Sequence, residues 1–293
     1  MADYDVLIAG YGPAGITAGI YAARKKLKVL LVGDLPGGEV MNSGDLENWT
    51  GSGETDGATL AKQMVDHLNL HTDAVTIVAD KVKEVARTDE GTFTFTTEGG
   101  QQESGRTVIW ATGRHPRMLG VPGEEEFKNR GVTYCATCDG PLFPDKEVAI
   151  VGGGNTGAEA AIMMQKIAKK IYLLHIDDAL PADPILVDNF KDDPKVEIIY
   201  NAKTTKIEGE AMVEKLHYED KEGQAHTLAV NGVFVTIGAI PNTDPVKDLV
   251  ELTEYGAVVA DRYAKTNVDG FFAAGDVTDI RDAQIVVAAG HGC

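Results

Sequence analysis

The sequence predicts an α/β chain of two Rossmann-like, three-layer domains. Each bears a Gly-x-Gly-x-x-Gly turn and a small β-meander, and the second is inserted in the first. Three observations predict this. An apolar strand running into spaced glycines and then an Ala-rich helical stretch occurs twice. Stretches of period-2 alternation accompany both copies, and glycine–proline breaks flank the second.

The first copy opens the chain. Val6-Leu7-Ile8-Ala9 leads into Gly10-Tyr11-Gly12-Pro13-Ala14-Gly15, then a helical stretch over 16–24 and an apolar strand over 28–32. Gly10 permits the tight turn, Gly12 lets a pyrophosphate approach the backbone, and Gly15 lets helix and strand pack closely. The helix N-terminus adds N–H donors and partial positive charge. The alternative is a plain tight βα turn. Asp34, past the second strand, either meets ribose hydroxyls or is a solvated turn aspartate.

Residues 81–98 follow, with Thr92-Phe93-Thr94-Phe95-Thr96-Thr97 alternating as half-buried antiparallel strands do. Strands over 107–114 and 231–239 each end on glycine and then reach proline, at Gly113-Arg114-His115-Pro116 and Gly238-Ala239-Ile240-Pro241. Proline breaks a strand and suits a crossover. The crossings are placed near 115–118 and 239–243, so the outer domain is 1–115 with 243–293 and the inserted domain is 116–242.

The inserted domain repeats the pattern. Val148-Ala149-Ile150-Val151 leads into Gly152, Gly154 and Gly157, with Asn155 and Thr156 between the last two, then a helix over 158–166 and a strand over 171–174. Alternating stretches at 206–218 and 227–237 supply its meander. It either holds a second dinucleotide or is a vestige. Two dinucleotides fit FAD and a nicotinamide, because a flavin passes electrons between a hydride donor and a dithiol.

Cys135-Ala136-Thr137-Cys138-Asp139 supplies that dithiol. Two intervening residues bring the sulfurs into disulfide range at a helix start, where the dipole favours thiolate. Asp139 is a candidate acid or base for thiol proton transfer. A zinc site would need a second ligand pair, and the third cysteine, Cys293, stands alone. An inert buried cysteine pair is the remaining alternative. Cys293 is expected to be a buried packing residue. Near the C-terminus Phe271-Phe272-Ala273-Ala274-Gly275-Asp276 is a strand end whose carboxylate either accepts from a ribitol or ribose hydroxyl or caps a turn.

Composition limits the partners. The 293 residues suit two domains at roughly 100–200 residues each. A net charge of −18 argues against nucleic acid and anionic membranes as partners. No segment reaches the ~18 apolar residues of a membrane span and no secretory leader is visible, so the chain is expected in the cytoplasm. Three cysteines are too few for a disulfide scaffold.

Taken together, Gly10-x-Gly12-Pro13-Ala14-Gly15, Glu47-Asn48-Trp49-Thr50-Gly51, Ala111-Thr112-Gly113, Cys135-Ala136-Thr137-Cys138-Asp139-Gly140 and Ala274-Gly275-Asp276 resemble low-molecular-weight thioredoxin reductases over essentially the whole chain. They equally resemble the reductase core of the alkyl hydroperoxide reductase flavoprotein. The resemblance implies FAD in the outer domain, held by the first glycine motif with Asp34, Gly38, Glu39, Val40, Asn48, Ala111, Thr112, Gly113, Gly275, Asp276, Gln284 and Ile285. It implies a pyridine nucleotide on the inserted domain, at Gly152, Gly154, Asn155, Thr156, Gly157, His175 and Asp177. It implies a homodimer whose inserted domain rotates. Cys138 would take electrons from the flavin, Cys135 would attack a thioredoxin disulfide, and Asp139 would protonate the leaving thiolate.

The chain departs from the pattern in places. Where NADPH-using members carry an arginine clamp, it has His175-Ile176-Asp177-Asp178-Ala179-Leu180-Pro181. Carboxylates disfavour a 2′-phosphate and can accept from a free 2′-hydroxyl, which points to NADH. A donor such as ferredoxin, or an oxygen-using dithiol oxidase, stays open. Glu39 replaces a customary glutamine, and Ala283 precedes Gln284 where a basic residue is usual. The chain begins at the flavin strand, so a separate thioredoxin-like partner is expected.

Overall fold

The computed structural model describes residues 2–293 apart from Gly44, Glu47, Asn48, Glu54 and Arg281; the side chains of Asn42, Asp45 and Cys138 also lie outside the description. The chain forms two compact units, Met1–His115 with Ile240–Cys293, and Pro116–Ala239.

In the first unit β1 (Tyr4–Ala9) pairs in parallel with β2 (Val29–Val32), linked by α1 (Pro13–Arg24). The strands Val75–Val78, β2, β1, Gln102–Trp110 and Phe271–Ala273 lie side by side in parallel. Gln102–Trp110 serves three partners, β1 along one edge and two strands in succession along the other. Its first half pairs antiparallel with Phe93–Thr97, which in turn pairs with Val82–Arg87. Gly105 is the pivot, opposite both Tyr4 and Phe93, and a Cβ there would lie 2.4 Å from Leu7 Cγ.

From Val6 to Ala9 β1 is apolar, because that stretch is buried on both faces. Leu7 and Ala9 join Val85, Phe93, Phe95 and Trp110 of the meander side. Val6 and Ile8 face α1 through Ile16 and Ile20. Each such large aliphatic side chain contributes about 1.5–3 kcal/mol on burial. Pro13 starts α1 where a missing N–H costs nothing. The helix stops at Lys25, followed by Lys26 in the left-handed region at φ 61°.

The second unit repeats the plan. β3 (Glu147–Val151), α2 (Asn155–Met164) and β4 (Lys170–Leu174) form its βαβ core. The five-stranded parallel sheet runs Val132–Thr133, Gly232–Val235, β3, β4, Val196–Ile199. Val148 and Ile150 pack against Ala158 and Ala161 of α2, whereas Ala149 and Val151 face Ile207, Val213 and Leu216 of a separate antiparallel meander. These are the three layers. The alternating stretch at 206–218 is two strands, Lys203–Gly209 and Val213–Glu219. Gly209 makes the break, since a Cβ there would lie 1.9 Å from Met212 O. The stretch at 227–237 also divides: Ala225–Ala229 ends the meander and Gly232–Val235 enters the parallel sheet.

Chain crossings fall at 115/116 and 239/240. Within the first unit the Asn242 N–H donates to Gly113 O, and within the second the Arg117 N–H donates to Gly238 O. Each unit thus ties its own two crossing ends together. Among the described residues no helix is long and apolar enough to cross a membrane.

Candidate functional site

A cavity of about 740 Å³ opens in the first unit, with the β1–α1 turn as its floor. Gly10 has φ +110°, and a Cβ on it would lie 2.1 Å from Ala111 O. A Cβ on Gly15 would lie 2.0 Å from Gly10 O. Both glycines are demanded by the protein's own backbone. Gly12 is not: the nearest atom to a Cβ there is Gly38 Cα, at an ordinary 3.7 Å. Its bareness leaves room on the cavity side. Gly12 caps α1 without a side-chain hydrogen bond, and the first turn holds no acidic residue. Among the described residues no side chain is seen to cap these helix N–H groups, which suits an anionic ligand.

The structure brings Gly10, Gly12, Pro13, Ala14, Asp34, Gly38, Glu39, Val40, Ala111, Thr112, Gly113, Asp276, Gln284 and Ile285 to this cavity. Gly15 and Gly275 stand behind its wall; a Cβ on Gly275 would meet Ala14 Cβ at 2.9 Å. Asn48 lies outside the described residues.

Burial raises the pKa of Asp276, and Arg114, 3.8 Å away, partly offsets this. A hydroxyl donor from a ligand would relieve that burial cost. Asp34 pairs with Lys81 at 3.3 Å, both about half exposed, at the cavity lining.

The sequence reading missed Asn242 at this cavity. Its carbonyl accepts from Trp110 Nε1 at 3.0 Å and Thr112 Oγ1 at 2.8 Å. Its amide donates to Thr112 O at 2.7 Å, and its Oδ1 lies 2.6 Å from His115 Nδ1. It holds the Thr112–His115 wall in place. The only signal was its position after Ile240-Pro241.

The second glycine turn has the same internal logic. A Cβ on Gly152 would lie 2.4 Å from Thr236 O, and one on Gly157 would lie 1.8 Å from Gly152 O. Gly154 has nothing within 4 Å of that position. Asn155 and Thr156 are exposed at the start of α2.

The loop beyond β4 folds against this turn. His175 is buried and its Nδ1 accepts from the Gly153 N–H at 3.2 Å. Its Nε2 has no hydrogen-bond partner among the described residues, with exposed Asp177 Oδ2 at 3.5 Å. A Cβ on Gly153 would lie 2.4 Å from Leu180 Cδ2. Asp183 accepts from Asn155 Nδ2 at 3.1 Å and returns its N–H to Asn155 Oδ1 at 2.8 Å.

Cys135 is disulfide-bonded. The side chain of Cys138 lies outside the description. The helix at the C-x-x-C is the single turn Ala136–Asp139, too short for the strong dipole expected from the spacing. Local hydrogen bonds organise it instead. The Asp139 N–H donates to Cys135 O at 3.1 Å, Thr133 Oγ1 donates to Asp139 Oδ2, and Thr133 Oγ1 accepts from the Cys135 N–H at 3.2 Å. Cys293 is an exposed free thiol, contrary to the expectation of burial. The preceding residue does the packing: a Cβ on Gly292 would lie 2.2 Å from Ala14 O.

Residues 4–292 match the pyridine nucleotide-disulphide oxidoreductase family. The chain belongs to that family. Among similar solved structures, the thioredoxin reductase of Lactococcus lactis is 32% identical and superposes with a TM-score of 0.83, covering 99% of this chain and 95% of the other. The thioredoxin reductase of T. acidophilum is 35% identical, with a TM-score of 0.80 and coverages of 100% and 96%. The F component of alkyl hydroperoxide reductase from Staphylococcus aureus is 44% identical over 291 residues, which is 99% of this chain. The chain spans 57% of the length of that curated relative. The two-domain, thioredoxin reductase-like architecture is thereby shared with these solved structures.

Proposed function

We propose that this chain is a flavin-dependent disulfide reductase of thioredoxin reductase type, fed by NADH and serving a thioredoxin-like protein. The observation that carries the reading is the half-cystine Cys135 in a C-x-x-C whose Asp139 is tied to its backbone. The first unit's cavity supports FAD as the cofactor. Gly12 would leave space for the pyrophosphate, and Asp276 would accept from a sugar-chain hydroxyl. Bound FAD would supply a two-electron relay between a hydride donor and the dithiol.

The protein's residues have separable tasks. In the reduced dithiol, the Cys135 thiolate would attack one sulfur of the partner's disulfide. A new S–S bond forms, the partner's S–S bond breaks, and the departing sulfur takes a proton from Asp139. Cys138 would then resolve the mixed disulfide, releasing the partner's second thiol and restoring the bond to Cys135. The exposed Asp177, beside Gly153-bound His175, favours a nucleotide with a free 2′-hydroxyl over one with a 2′-phosphate. A homodimer and a cytoplasmic setting come with the resemblance to thioredoxin reductases.

The test is anaerobic titration of the yellow protein, separately with NADH and NADPH. Bleaching of the flavin band by NADH at much lower concentration than by NADPH is expected. A second reading has one observation behind it. Leu180 packs on Gly153 and Asp183 engages Asn155 beside the second glycine turn, which suits a donor other than a nicotinamide, such as ferredoxin. Bleaching by reduced ferredoxin and by neither nucleotide would replace the first reading with the second.

A further inference from the structure

We propose that Thr133 is the positioning residue of the dithiol site, setting the place of Asp139 relative to Cys135 through one shared hydroxyl. The inference rests on the reading of Asp139 as the acid of disulfide exchange.

Thr133 sits on the short strand Val132–Thr133, opposite Phe234 in the parallel sheet, and is buried. Its Cα is therefore held by the sheet, and its branched side chain has few rotamers. A hydroxyl has one proton to give and lone pairs to accept with. Here the proton goes to Asp139 Oδ2, and the oxygen accepts from the Cys135 N–H at 3.2 Å. The Asp139 N–H closes the ring onto Cys135 O at 3.1 Å. A single atom anchored in the sheet thus reaches both the acid and the backbone of the attacking cysteine.

This matters because the helix carrying Asp139 is one turn long and cannot orient it alone. An acid placed about 1 Å wrong loses most of its value in proton transfer. Neighbouring Tyr134 cannot substitute, since its hydroxyl is committed to Glu124 at 3.0 Å. Valine at 133 would keep the shape and remove both hydrogen bonds. Serine would keep the hydroxyl and lose only the methyl group.

The test uses the full-length holoprotein and five variants: T133V, T133A, T133S, D139N and T133V/D139N. Two measurements are made. One is steady-state reduction of thioredoxin disulfide. The other is the alkylation rate of Cys135 in the dithiothreitol-reduced protein, which needs neither nucleotide nor partner. T133V is expected to lower kcat about tenfold at unchanged KM, a fraction of what general acids contribute. It should change the alkylation rate in the same direction as D139N. T133S should return both to within about twofold of the parent. The double variant should match D139N, because a residue acting through another adds nothing once that other is gone. T133A repeats the deletion without the added methyl should T133V fold poorly. Parent-like kcat in T133V or T133A, or multiplying effects in the double variant, would overturn the proposal. Absence of thioredoxin turnover in the parent, with the alkylation pattern intact, would sink the functional reading and leave the positioning role standing.

Discussion

Asp276 is where burial of a single charged side chain most plainly costs stability. Burial raises its pKa, so its ionisation works against the ligand-free fold. The stability it contributes is full below the unfolded carboxylate pKa and is lost as pH rises through the higher folded value. D276N in the flavin-free protein should therefore raise Tm at pH 7, with the gain vanishing toward pH 4; differential scanning fluorimetry across that range checks it. The same change should weaken FAD binding by about 1.5–3 kcal/mol, the usual worth of a hydrogen bond to a charged group, read by flavin release on dilution. Glu124 is a second carboxylate, one with close hydrogen-bond partners. It is 2% exposed and accepts from the Leu119 and Gly120 N–H groups and from Tyr134 OH. Burial and that hydrogen bond raise the pKa of Tyr134 well above its ordinary value. E124A should cost about 2 kcal/mol by leaving three part-buried donors without their acceptor, measured by chemical denaturation. A parent-like midpoint would show that water replaces the carboxylate.

At the scale of the element, the two glycine turns separate what the fold needs from what a ligand needs. G15A forces a Cβ to 2.0 Å from Gly10 O, so it should disrupt the β1–α1 turn itself and lower expression and Tm. G12A meets nothing closer than 3.7 Å, so it should fold with parent-like circular dichroism and yet purify colourless. If G12A retains stoichiometric flavin, the pyrophosphate does not lie over this turn. The Gly-x-Gly-x-x-Gly spacing was legible because both demands follow from local geometry. The loop at 175–183 was legible only as charge. That Leu180 would lie on Gly153 and Asp183 would lock Asn155 depends on a packing that periodicity does not encode. Thr133 was equally silent, because a threonine on a strand has no pattern until the C-x-x-C turn folds beside it.

On the scale of the whole molecule, each core cluster draws only on its own unit: Leu7 with Phe95 and Trp110 in one, Val148 with Phe234 in the other. Two thermal transitions are expected in the flavin-free protein. FAD should raise only the one belonging to the unit with the cavity, by about 2.7 kcal/mol at a hundredfold excess over its Kd. Calorimetry with and without flavin decides it, and a joint shift would mean that the units melt as one. The sequence by itself determined the doubled βαβ plan, the glycine turns and the C-x-x-C, because backbone strain and strand burial act over a few residues and leave a local mark. The tertiary structure alone decided that Asn242 closes the cavity wall and that Thr133 joins Asp139 to Cys135. Those contacts join segments through particular side-chain directions, and a side chain's direction is set by what packs around it rather than by its neighbours in sequence.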